Sequence, residues 1–123
     1  MKYLNILQID DDSDDCEFFQ QALVEVSSAA YMALHNPIEA LQKLIDKEVR
    51  PDLIFLDINM PLMSGIEFLA EIKKRDVIKN IPVIIFSTAP ISSQLAKILD
   101  AKDYLTKPSD FNDLKVILKG ILS

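Results

Sequence analysis

The sequence predicts an α/β domain in which five parallel strands alternate with five helices in a three-layer sandwich. Apolar runs of strand length recur along the chain, and the segments between them have apolar residues at helical spacing. The strand runs are almost continuously apolar, which indicates a parallel sheet that is buried on both faces. The chain has 123 residues, of which 50% are hydrophobic, so it is long enough for one domain with its own core.

Each predicted element follows from a short pattern. The strands are predicted at 4–9, 31–34, 53–56, 83–86 and 104–105. The helices are predicted from apolar faces formed by Phe19, Leu23 and Val26, by Ile38, Leu41 and Ile45, by Ile66, Leu69 and Ile72, by Leu95 and Ile98, and by Phe111, Leu114, Ile117 and Ile121. Capping residues stand at four of the helix starts, namely Ser13, Asn36 before Pro37, Ser64, and Ser109 or Asp110. The periodicity leaves the order of the strands in the sheet open.

The charge of the chain is concentrated in one place. The net charge is −6, and five of the 19 acidic residues lie between positions 10 and 15. The remaining sequence is nearly neutral and has no basic stripe, so we expect no nucleic-acid surface. Polar residues interrupt the apolar start of the chain, so we expect neither a signal peptide nor a membrane span, and we expect a cytoplasmic location. The single cysteine, Cys16, excludes an internal disulfide and a multi-cysteine zinc site.

Polar residues follow four of the five predicted strands at or close to their carboxyl ends. Asp10 and Asp11 follow the first strand, Asp57 the third, Ser87 the fourth and Lys107 the fifth. Because ligands of parallel α/β sheets bind at the carboxyl ends of the strands, we expect these side chains to meet at one edge.

Three carboxylates at this edge need a counter-charge. Two ionised carboxylates 4 Å apart repel by about 4 kcal/mol at an effective dielectric constant of 20. The site should therefore hold a cation or keep a proton, and oxygen ligands without His or Cys favour Mg²⁺ or Mn²⁺. Asp57 is suited to nucleophilic attack on phosphorus, and the ammonium of Lys107 would offset charge on a transferred phosphoryl group.

Each of these residues also has a structural interpretation. The acids Asp12, Asp14 and Asp15 are interpreted as helix-capping and helix-dipole residues. Cys16 is interpreted as a partly buried residue of the first helical turn, and His35 as a loop residue. Lys107 or Ser87 taken alone would be a solvated side chain, so the functional interpretation depends on all five positions coinciding at one edge.

The segments ILQIDD, LDINMPLMSGIEFL, IIFST and YLTKP resemble the receiver domain of two-component response regulators. The resemblance covers essentially the whole chain. It is to the stand-alone, chemotaxis-regulator-like members of the family. It implies a flavodoxin-like (βα)5 fold with strand order 2-1-3-4-5. We expect residues 1–123 to form a single receiver domain with no output domain.

The resemblance implies a role for each acidic residue. Asp57 is expected to accept a phosphoryl group from a histidine of a sensor kinase or of a phosphotransfer protein. Asp10, Asp11 and Asp57, with the backbone carbonyl of Asn59, are expected to bind Mg²⁺ or Mn²⁺.

The resemblance also implies a switch. Ser87 and Tyr104 take the places of the two switch residues, and Lys107 is expected to contact the phosphoryl oxygens through a loop with a cis Lys107–Pro108 bond. Thr88 stands where the family more often has Ala or Gly, so its bulk is expected to restrict access to Asp57. Phosphorylation is expected to change the face of the fourth helix, fifth strand and fifth helix, which would contact an unknown downstream protein or a second copy of the chain.

Two other functions remain open. A Mg²⁺-dependent phosphohydrolase with an aspartyl nucleophile would need a second Asp two residues after Asp57, where Asn59 stands. An interaction module that is never phosphorylated would not need the complete set of acids. A flavin-phosphate binder is rejected because the sequence DDDSDD would repel a phosphate. We therefore expect no enzyme activity beyond self-phosphorylation and self-dephosphorylation.

Overall fold

The computed structural model describes residues 3–122, which form five parallel strands and five helices in alternation. The strands are β1 (Asn5–Ile9), β2 (Ala30–Leu34), β3 (Leu53–Leu56), β4 (Val83–Ser87) and β5 (Asp103–Thr106). The helices are α1 (Ser13–Val26), α2 (Pro37–Ile45), α3 (Gly65–Lys73), α4 (Ser93–Leu99) and α5 (Phe111–Leu122). The sheet order is β2-β1-β3-β4-β5 and every pair of neighbours is parallel, so the predicted fold and strand order are confirmed.

The sheet separates two apolar cores because alternate residues of a strand point to opposite faces. In β3, Ile54 and Leu56 pack in the core that includes α2, α3 and Leu99 of α4. Leu53 and Phe55 pack in the core beneath α1 and α5. All four residues of β3 are buried, which agrees with the central position of this strand between β1 and β4.

Aromatic rings fill the core beneath α1. The ring centroid of Phe19 lies 4.9 Å from that of Phe55, 5.6 Å from that of Phe86 and 5.8 Å from that of Tyr31. The contacts with Phe55 and Phe86 are edge-to-face, the arrangement that the ring quadrupoles favour. These contacts fix α1 relative to β2, β3 and β4.

One helix start differs from the sequence prediction. The N-cap of α1 is Asp12, whose side chain accepts hydrogen bonds from the backbone N–H groups of Asp14 and Asp15, and Ser13 is the first helical residue. A carboxylate at this position also interacts favourably with the positive end of the helix dipole, which explains the preference for Asp12 over Ser13. Asn36 and Ser64 cap α2 and α3 as predicted.

The backbone corrects a second expectation. No peptide bond among residues 3–122 is cis, so the expected cis Lys107–Pro108 bond is wrong. The trans isomer is the lower-energy form of most X–Pro bonds. Among the described residues, Lys47, Leu62 and Asp100 are the non-glycine residues with a positive φ, and Asp100 forms the left-handed C-cap of α4. In the same part of the chain, no helix has the length and apolar character that crossing a membrane requires.

Candidate functional site

Four strand ends bring their polar residues to one edge of the sheet. Asp10 follows β1, Asp57 follows β3, Ser87 is the last residue of β4, and Lys107 follows β5. Asp10, Asp57 and Ser87 are buried, although each is polar. The parallel register explains this convergence, because the neighbouring strands end at nearly the same level.

Lys107 lies among carboxylates. Its side chain is only 9% exposed, and its Nζ lies 2.6 Å from Oδ2 of Asp10 and 3.5 Å from Oδ2 of Asp57. A third carboxylate, that of Asp15 in α1, has its Oδ2 2.7 Å from the same Nζ. The contacts with Asp10 and Asp15 have the length of charge-assisted hydrogen bonds. The ammonium therefore offsets the negative charge of this site.

The electrostatics of the site follow from burial. Burial raises the pKa of Asp10 to about 6, and the hydrogen bond from Lys107 opposes this shift without cancelling it. Burial would lower the pKa of Lys107, but its hydrogen bonds to Asp10 and Asp15 outweigh burial and raise that pKa above its ordinary value. Burial therefore destabilises the ionised form of Asp10 even beside the ammonium of Lys107. A second positive charge near Asp10 would stabilise its ionised form.

Backbone contacts fix the carboxylate of Asp57. Its Oδ1 accepts a hydrogen bond of 2.8 Å from the backbone N–H of Ile58, and its own N–H donates to the carbonyl of Ile9. Gly65 packs directly against the backbone of Asp57, where a side chain on residue 65 would overlap the carbonyl oxygen. The Oδ2 atom is the one that approaches Lys107, so this oxygen faces the pocket.

The acidic residues fit a divalent cation. Asp10, Asp11 and Asp57 each have a carboxylate oxygen within 4.8 Å of the corresponding oxygens of the other two. Asp11 is exposed, whereas Asp10 and Asp57 are buried, so the cluster opens to solvent on the Asp11 side. Hard oxygen ligands open to water suit Mg²⁺, which keeps part of its hydration shell when it binds to proteins.

The comparisons with known proteins identify the family. The family model described as the response regulator receiver domain matches residues 6–119. The chain belongs to the response regulator receiver family. The predicted resemblance is therefore confirmed.

Several members of this family are similar over nearly the whole chain. The two-component response regulator ARR5 of Arabidopsis thaliana is 33% identical over 98% of this receiver domain and 72% of its own length. The phosphorylated cyanobacterial phytochrome response regulator RcpA is 32% identical, with a TM-score of 0.84 over 97% of this chain and 91% of RcpA. The Mn²⁺-bound form of response regulator Rcp1 is 32% identical, with a TM-score of 0.79 over 95% of this chain and 90% of Rcp1. A role in two-component signal transduction follows from this membership.

The predicted switch residues of the receiver domain lie on β4 and β5. Ser87 is buried, and its backbone carbonyl accepts a hydrogen bond of 3.0 Å from the N–H of Lys107. Its hydroxyl oxygen accepts a longer contact of 3.4 Å from the N–H of Ala89. Thr88 and Tyr104 are exposed, the latter by 41%, so the ring of Tyr104 is turned towards solvent in this structure. Asn59 is also exposed and follows Asp57 by two positions.

The contact between Asp15 and Lys107 was not predicted from the sequence. Asp15 was predicted to be a helix-capping or helix-dipole residue. It does lie in the acidic first turn of α1, but Asp12 is the cap, and the carboxylate of Asp15 also pairs with Lys107. One signal was available. Asp15 precedes the fully buried Phe19 by four positions, so it lies on the side of α1 that faces the sheet.

Cys16 and His35, which were given structural interpretations from the sequence, both lie near Asp10. Cys16 is buried, and its Sγ lies 3.8 Å from the carbonyl oxygen of Asp10. The Nδ1 of His35 lies 2.9 Å from the same oxygen, so His35 is a loop residue that also supports the loop after β1. Burial raises the pKa of the Cys16 thiol to about 12, so this cysteine stays protonated and is a structural residue.

Proposed function

We propose that Asp57 accepts a phosphoryl group from a phosphohistidine of a sensor kinase or of a histidine phosphotransfer protein. One observation carries this proposal: Oδ2 of Asp57 lies 3.5 Å from Nζ of Lys107 within a cluster of carboxylates that fits a divalent cation. The arrangement combines a nucleophile with two kinds of positive charge, which are the elements that phosphoryl transfer needs.

The proposed transfer forms one bond to phosphorus and breaks another. A carboxylate oxygen of Asp57 forms a bond to phosphorus, while the bond between phosphorus and the donor nitrogen breaks and its electron pair returns to the imidazole. Lys107 is placed to donate hydrogen bonds to the phosphoryl oxygens, where negative charge is spread in the transition state. Asp10, Asp11 and Asp57, with the carbonyl of Asn59, would hold Mg²⁺ or Mn²⁺, which supplies further charge neutralisation when bound.

The proposed output is a change in protein contacts. The added phosphoryl oxygens would attract the hydroxyl of Ser87, which is buried at the end of β4 and accepts a long contact of 3.4 Å from Ala89 N–H. Movement of this strand end would be transmitted to the exposed Tyr104 on the neighbouring β5. The face of α4, β5 and α5 is then the proposed contact for a downstream protein or a second copy. Thr88 would limit access to Asp57 from the same loop.

In this proposal, the chain is a signalling domain that catalyses only its own phosphorylation and dephosphorylation. Its family membership supports this interpretation over a phosphohydrolase that turns over external esters. The cytoplasmic location, and a receiver domain that acts without an output domain of its own, stay predictions.

Intact-mass measurement after incubation with acetyl phosphate and Mg²⁺ tests the proposal. We expect one added phosphoryl group, and we expect none with EDTA or in Asp57→Asn. Asp76→Asn is the matched control, because its side chain is 93% exposed and pairs only with Lys79 among the described contacts. Labelling that persists in Asp57→Asn would place the acceptor elsewhere. Catalytic release of phosphate without a labelled protein would favour the phosphohydrolase.

A further inference from the structure

The ammonium of Lys107 has three hydrogens and three carboxylate neighbours. Asp10 and Asp15 accept at 2.6 and 2.7 Å, and Asp57 lies farther away at 3.5 Å. Two of the three neighbours, Asp10 and Asp57, also belong to the candidate cation cluster, whereas Asp15 does not. Asp15 is therefore the one carboxylate of this group that remains available to Lys107 when the other two bind a cation.

The backbone of Asp15 is held firmly in this position. Its N–H donates to Oδ1 of the N-cap Asp12, and the N–H of Asp12 donates in turn to Oδ1 of Asp10. Four positions further along α1, Phe19 is fully buried among aromatic rings. The first turn of α1 is thus fixed relative to the end of β1, and the carboxylate of Asp15 projects from a rigid support.

Lys107 needs such a support. Its side chain is a flexible four-carbon stem, and it has to reach from the end of β5 past two strands to a carboxylate at the end of β1. A cation bound to Asp10 would occupy the carboxylate that otherwise accepts the hydrogen bond from the ammonium of Lys107, and it would weaken that hydrogen bond. Without a second anchor, Lys107 would then have more freedom to leave the pocket.

We propose that Asp15 is a positioning residue that holds the ammonium of Lys107 beside Asp57 while Asp10 is engaged with a divalent cation. This inference rests on the proposed function. It gives Asp15 a role in phosphoryl transfer without contact with the reacting atoms. The alternative is an ordinary surface ion pair, which contributes little because both partners are usually solvated. Here Lys107 is 9% exposed and Asp15 is 41% exposed, so one partner is removed from water.

Three variants separate the two interpretations. Asp15→Asn removes the charge that holds Lys107, and Asp15→Glu keeps it. The partial exposure of Asp15 leaves room for the extra methylene of glutamate. Asp14→Asn is the matched control, because it removes one negative charge from the same helical turn and Asp14 has no described ion pair with Lys107. A general weakening of cation binding by lost charge would affect Asp14→Asn and Asp15→Asn alike.

The first readout is made on the metal-free protein. The ammonium signal of Lys107 is followed by ¹H–¹⁵N NMR in EDTA and is assigned with Lys107→Arg. We expect its hydrogens to exchange with water at least about fivefold faster in Asp15→Asn, the scale of a lost hydrogen bond to a charged group, and to be unchanged in Asp14→Asn. Equal exchange in the wild type and Asp15→Asn would overturn the proposal.

The second readout is phosphorylation by acetyl phosphate at saturating Mg²⁺. We expect the maximal rate to fall about tenfold in Asp15→Asn and to recover in Asp15→Glu, while the half-saturating Mg²⁺ concentration stays equal to that of Asp14→Asn. Equal maximal rates in Asp15→Asn and Asp14→Asn would overturn the positioning role. An unlabelled wild-type protein would instead refute the proposed function, and the exchange rates would still decide whether Asp15 holds Lys107.

Discussion

The ammonium of Lys107 lies 2.6 Å from Oδ2 of Asp10, although the two residues are 97 positions apart in the chain. The residue after the first strand supplies the carboxylate and the loop after the last strand supplies the cation, so this pair joins the two ends of the chain at the edge of the sheet. Both side chains are almost fully buried, and each alters the protonation of the other. The pair therefore couples the stability of the domain to pH and to bound cations.

In the metal-free protein, Asp10 should make stability depend on pH with an unusual sign. Its pKa is raised by burial from 3.8 to about 6, so its contribution to stability is fully present below about pH 4 and is lost as the pH rises through 6. The loss amounts to at most about 3 kcal/mol, from 1.36 kcal/mol per unit. Urea unfolding in EDTA at pH 4 to 7 measures it as the difference between the wild type and Asp10→Asn. A difference that is constant with pH would contradict the shift.

Magnesium should stabilise the folded domain by mass action. We expect the melting temperature to rise with Mg²⁺, and a concentration of 100 times Kd should add about 2.7 kcal/mol to the free energy of unfolding. Asp11→Asn should weaken this response because it removes the exposed carboxylate of the cluster. Asp14→Asn, with the same loss of charge outside the cluster, serves as the control in thermal melts. No response to millimolar Mg²⁺ in the wild type would argue against a metal site.

Gly65→Ala should destabilise the protein and disturb Asp57. The added Cβ would overlap the carbonyl oxygen of Asp57 and lie 2.8 Å from Cα of Ile58, so the backbone of the loop that carries Asp57 has to move. We expect a loss of about 1–3 kcal/mol in denaturant unfolding together with slower phosphorylation. Gly120→Ala provides the contrast, because nothing lies within 4 Å of its added Cβ in α5. That variant should gain up to about 1 kcal/mol from helix propensity.

Leu62→Asn should stabilise the protein. Leu62 has a φ of 72° and is 74% exposed, so it combines an unfavourable backbone conformation with an apolar side chain in water. Asparagine tolerates the left-handed region better, and we expect a gain of about 1 kcal/mol in the free energy of unfolding. Leu62→Ala removes the apolar surface but keeps the backbone cost, so it should gain less. Equal gains for the two variants would show that the backbone conformation contributes nothing.

The fold was predictable because local patterns and tertiary structure agree. The four apolar residues of β3 were predicted with the bounds that the structure has, since continuous burial excludes most alternatives. The short β5 was predicted as 104–105 and extends to Asp103–Thr106, because its ends are polar and exposed. The strand order came from the family resemblance, since periodicity carries no information about which strands are neighbours.

The site was predictable only in part, because its contacts join distant positions. Asp10, Asp57 and Lys107 were placed correctly at the strand ends, since a parallel sheet brings those ends together. The pairing of Asp15 with Lys107 was not predicted, because a carboxylate in a first helical turn usually interacts with the helix itself and this partner is 92 positions away. The roles of the predicted site residues in phosphoryl transfer stay predictions that the experiments above test.

The connection between β1 and the loop after β5 also has a consequence for biosynthesis. Lys107 is contributed after the fifth strand, so a nascent chain on the ribosome has all the acidic residues of the cluster long before it has their counter-charge. The carboxylates gain the ammonium that offsets their negative charge only after residue 107 has emerged and β5 has docked against β4. If Asp57 is the phosphoryl acceptor as proposed, chains that end before residue 107 would lack the ammonium beside it and would not be labelled by a phosphoryl donor.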